Sequence, residues 1–100
     1  LYEESLTIKR EIGAKPGEAS TLNNLGNLTR ARGDLDEADR LHRESLAIER
    51  EVGNRLGEAT SLNNLGNIAE ARGDLDAASE YFEQAITIKL ELGLLEDDEE

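Results

Sequence analysis

The chain contains no cysteine, tryptophan or methionine, one proline, and three aromatic residues among its 100. Without cysteine there is no disulfide framework, no thiol chemistry and no thiolate zinc site. Small secreted domains commonly rely on such staples, so their absence favours a cytoplasmic protein. No apolar run approaches the roughly 18–20 residues that span a bilayer, and no signal peptide is visible. Positive charge is scarce as well. Three lysines and eight arginines face 23 acids, for a net charge of −12. Nucleic-acid binding requires cations that displace counterions from phosphates, so the balance argues against nucleic acid as a partner. The same sign opposes anionic membrane surfaces. An acidic, lysine-poor surface points instead to a salt-adapted cytoplasm.

With Tyr2, Tyr81 and Phe82 as the only aromatics, the apolar content is mainly Leu, Ile and Ala. These residues fill seams between helices. A single compact core in so short a chain is marginal, because the buried fraction of surface rises with size. A stack of repeats avoids that limit by adding one thin core layer per unit.

Self-similarity is present at a spacing of 40 residues. Residues 1–40 and 41–80 are identical at 24 of 40 positions. The longest shared runs are 22–27 with 62–67 and 31–36 with 71–76. A third copy starts at Tyr81, keeps Ile88, Glu91 and Gly93 in register, and is lost after Gly93. Gly33 and Gly73 follow helical stretches and precede Asp34 and Asp74, the pattern of a left-handed C-terminal glycine followed by a new N-cap. Asp34 with Glu37 adds a capping-box pattern. Gly53 with Asn54 does the same for the other helix type. Helices are predicted near 1–12, 15–32, 35–52, 55–72 and 75–93, and short connections make neighbours antiparallel.

These residues resemble tetratricopeptide repeats. Leu25 and Gly26 fit the family's Leu-Gly pair, with Leu22 in place of the usual Trp. Gly33, Asp34 and Leu35 fit the turn, and Ala38 fits the small residue of the second helix. The resemblance covers about residues 1–93. It departs from the common repeat in its 40-residue period and in Arg50, which stands where a Pro would close the unit. The long variety is similar to repeats of partner-of-Inscuteable spindle regulators and kinesin light chains, and to arrays beside CHAT proteases and STAND ATPases. The resemblance implies an all-α superhelix of five antiparallel helices: a second-type helix at 1–13, full repeats at 14–53 and 54–93, and an acidic tail at 94–100. It also implies a protein–protein interaction module without catalysis. The chain opens at Leu1 already in helical pattern, and reads as a piece of something longer.

On a helical wheel, Ala19, Leu22, Leu25, Gly26, Leu28 and Thr29 share one half of the helix near 15–32. Ser20, Asn23, Asn24, Asn27 and Arg30 lie opposite. The next copy repeats that second face with Thr60, Asn63, Asn64, Asn67 and Glu70. Stacking would set the two asparagine rows side by side, on the face that lines the family's concave groove. A carboxamide both donates and accepts, so such a ladder suits the backbone of an extended peptide. The plainer reading is that these asparagines only solvate a surface. Against it, Asn is a mediocre helix former, and solvated faces more usually carry Glu, Lys, Gln or Arg. The resemblance argues against a clamp for a C-terminal carboxylate, since family members with one carry Lys or Arg at the positions held here by Ser20, Asn23, Thr60 and Asn63.

No nucleophile–base pair, metal set or cofactor motif appears. His42 is the only histidine and is read as a surface or seam residue. Two further readings compete with peptide binding. One is self-association through the array ends, where Leu1, Leu6 and Ile8 at one end and Leu90 and Leu92 at the other lack a covering helix. The other is a regulatory arm of a larger protein.

Overall fold

The computed structural model describes residues 15–94. Four helices form there, α1 (Lys15–Ala31), α2 (Leu35–Val52), α3 (Arg55–Ala71) and α4 (Leu75–Glu91), and no strand occurs among the described residues. Their ends fall within about two residues of the predicted ones. The fifth predicted helix, near 1–12, and the tail beyond Leu94 lie outside the described residues.

The connections are short because the sequence both stops and restarts each helix. Gly33 and Gly53 take φ of 88° and 77°, a region costly for any residue with a Cβ. The next N–H then reaches back, from Asp34 to Thr29 O and from Asn54 to Glu49 O, closing the helix end. Asp34 accepts a hydrogen bond from Glu37 N at 3.1 Å and Asn54 one from Gly57 N at 2.9 Å, so the same residue that ends one helix opens the next. The capping box is only half made, because the Glu37 carboxylate binds Arg40.

α1 pairs with α2 and α3 with α4 as hairpins, and α2 packs on α3 to stack them. The core is one thin layer: Leu46 from α2, Ala59, Leu62 and Leu65 from α3, and Ala85 and Ile88 from α4. Each buried Leu or Ile contributes about 1.5–3 kcal/mol. Gly26 and Gly66 make room within each hairpin, but for side chains more than for backbone. A Cβ on Gly26 would stand 2.6 Å from the His42 ring, and one on Gly66 would stand 2.6 Å from the Phe82 ring. His42 and Phe82 are the same repeat position, so each glycine is the socket for one ring.

Candidate functional site

The ten residues picked out on the first-type helices α1 and α3 do not behave alike. Ser20, Asn24, Asn27 and Arg30 on α1, and Thr60 and Glu70 on α3, are exposed, while Asn63, Asn64 and Asn67 are half-buried. Thr60 donates its hydroxyl to Leu56 O of its own helix at 3.1 Å. Asn23 is committed to the inside of the stack. Its Oδ1 lies 2.8 Å from His42 Nδ1 and its Nδ2 donates to Glu49 Oε2 at 3.3 Å.

Asn23 is thereby one member of a polar cluster where α1, α2 and α3 meet. Ser61 of α3 donates to Glu49 Oε1 at 2.5 Å and also stands 3.2 Å from Asn23 Oδ1 and Ser45 Oγ. Its single proton serves one acceptor at a time, and the short contact to Glu49 takes precedence. Ser45 donates to Ala19 O at 3.0 Å. Asn64 Nδ2 approaches His42 Nδ1 at 3.5 Å, at the outer limit of a hydrogen bond. His42, Ser45, Glu49 and Ser61 are all buried. This cluster was not foreseen from α1 and α3, because its titratable members sit on α2. The signal was present there: His42, Ser45 and Glu49 share one stripe of α2 with apolar Leu46, at helical spacing.

The electrostatics of the cluster follow from burial. His42 is pushed from its ordinary 6.5 down to about 4, by burial first and by the Arg30 charge second, against the pull of Asp39. The ring is therefore neutral at pH 7. Since the facing Asn23 atom is an acceptor, its proton sits on Nδ1 and the bare Nε2 faces the Gly26 socket with no hydrogen-bond partner. Glu49 is pushed up, mainly by burial and further by the Glu58 charge, while hydrogen bonds from Ser61 and Asn23 and the nearby Ser45 hydroxyl oppose the rise. Glu58, also buried, is held by Arg50 at 3.0 Å and Arg55 at 2.9 Å. Arg43 crosses from α2 to α4, donating to Tyr81 Oη at 2.8 Å.

No group of three or more metal-ligating side chains occurs among the described residues, and none of their helices is long and apolar enough to cross a membrane. One open groove of about 430 Å³ lies between α3 and α4, lined by Arg55, Glu58, Glu80, Glu83, Gln84 and Thr87 among others. Its one cation is already occupied, since Arg55 pairs with both Glu58 and Glu91. The polar cluster thus ties α1, α2 and α3 together.

The family model described as Tetratricopeptide repeat matches residues 1–50 and 17–91. No individual curated protein matches the chain.

Proposed function

Because the chain belongs to the tetratricopeptide repeat family, whose repeats generally mediate protein–protein interaction, we propose that it holds an extended peptide or partner segment across the exposed face of its first-type helices, without catalysis. The array is read as residues 1–93, with a second-type helix at 1–13, repeats at 14–53 and 54–93, and an acidic tail at 94–100. One observation carries the reading. Asn24 and Asn27 project outward from α1 although Asn is a poor choice for an exposed helix, and Asn64 and Asn67 recur 40 residues later on α3. Asn23 drops out as a ligand group and becomes the residue that sets α1 against α2 and α3. Ser20, Thr60 and Asn63 flank the carboxamides, and Arg30 and Glu70 put opposite charges at the far end of the two helices. The direct partner class is a peptide whose backbone is free to exchange hydrogen bonds with amides.

The test uses peptides selected against this chain from a random display library. In the variant N24A/N67A the selected peptides should bind about tenfold more weakly, equivalent to one or two lost hydrogen bonds, with the helical circular dichroism unchanged. Equal affinity in that variant would remove the groove reading.

A second reading, docking of protein on α4, is favoured by a separate observation. Leu75, Ile86 and Leu90 of α4 are exposed along one face.

A further inference from the structure

Two charges of opposite sign frame the outer face of α3. On α1, Arg30 lies within about 20° of Asn23 at 100° per residue. Asn23 turns its side chain to His42 and Glu49 of α2 and stands 3.2 Å from Ser61 of α3. Arg30 is therefore on the edge of α1 nearest α3. Its charge acts on the buried His42 ring, and that ring approaches Asn64 of α3 at 3.5 Å. Glu70 holds the same repeat position on α3. It lies about 180° around that helix from Ser61, the residue that meets α1 and α2. Glu70 is therefore on the far edge of α3, and Asn64 and Asn67 fall in the arc between the two edges.

Neither charge is consumed inside the molecule. Arg40, Arg43, Arg50, Arg55 and Arg72 each pair with a carboxylate. Arg30 and Glu70 are exposed and form no ion pair among the described residues. Arg30 stays exposed although α3 follows and touches α1. The position is thus open where another first-type helix lies beside it.

We propose that the segment held across α3 carries one acidic and one basic side chain, the acid at Arg30 and the base at Glu70, with its backbone on Asn64 and Asn67 between them. This rests on the reading of the first-type helices as a peptide-binding face, and it names the class of peptide. A helix with its side chains is about 10–12 Å across, and an extended chain advances about 3.3 Å per residue. Acid and base therefore stand about three or four positions apart. The net charge of −12 alone favours any basic partner. Arg30 adds a demand for an acid, so the pair separates segments of mixed charge from merely basic ones.

Peptides selected against the intact chain from a random display library are the probe. They should share an acid and a base at about that spacing. R30E turns an attraction into a repulsion and should weaken them by about fivefold or more, with helical circular dichroism unchanged. Exchanging the peptide's acid for Lys should restore affinity for R30E. R32E makes the same change of net charge at an exposed residue just past α1, and should alter affinity by less than about twofold. Selected peptides that lose affinity in N24A/N67A but lack the charge pair, or bind R30E as tightly as the parent, overturn the charge reading and leave the peptide face standing. Equal weakening by R30E and R32E overturns it as well. A library that yields no binder, or only binders indifferent to N24A/N67A, overturns both.

Discussion

At the scale of residues, the molecule's unusual feature is a pair of buried titratable groups with opposite linkage to pH. His42 has a folded-state value of about 4 against an ordinary 6.5. The unfolded chain therefore takes up the proton first as pH falls. The stability contributed by the neutral ring is complete above about pH 7, is lost between about 6.5 and 4, and amounts to about 3 kcal/mol at most. Glu49 works the other way. Its value is raised in the fold, so its ionised form weighs against folding at neutral pH, and protonation relieves that cost as pH falls through the raised value. Urea unfolding at pH 7.5 and 4.5 separates the two. H42F, which installs the residue of the next copy, should reduce the loss of stability on acidification. E49Q should be more stable than the parent at pH 7.5, and that advantage should shrink at pH 4.5. An unchanged pH dependence in H42F would mean that His42 is not the titrating group.

At the scale of elements, hairpin geometry depends on sockets and caps. Gly26→Ala gains about 1 kcal/mol in helix propensity but drives a methyl to 2.6 Å from the His42 ring. Overpacking of this kind costs about 1–3 kcal/mol. The ring is wedged between α1 and the α2–α3 junction and has little room to retreat, so the net effect should be a loss that lowers the thermal midpoint. Combining G26A with H42A should recover part of it, a coupling that a double-mutant cycle measures. The caps were legible in the sequence, because Gly-Asp and Gly-Asn at helix ends have purely local causes: a positive φ and a carboxylate or amide three residues before an orphan N–H. The sockets were not legible in this way. That a ring from the partner helix fills each one required the two helices to be placed.

At the scale of the whole molecule, the described residues form two hairpins on a thin core, and the chain's net charge of −12 brings strong self-repulsion. Screening falls to a Debye length of about 3 Å at 1 M salt, so the thermal midpoint should rise between low and molar KCl, as the expectation of a salt-adapted surface requires. A midpoint that falls would count against that expectation and show that inter-hairpin contacts such as Arg72–Asp36 and Arg50–Glu58 contribute more than the repulsion costs.

The amino-acid sequence alone determined the boundaries of the four described helices, the 40-residue spacing and the family. Each of these rests on periodicity or on contacts within a few residues, which a one-dimensional string displays. The role of Asn23 and the burial of His42 and Glu49 were decided by tertiary structure. They depend on residues between 12 and 38 positions apart meeting across three helices, and a wheel of one helix carries no information about what faces it.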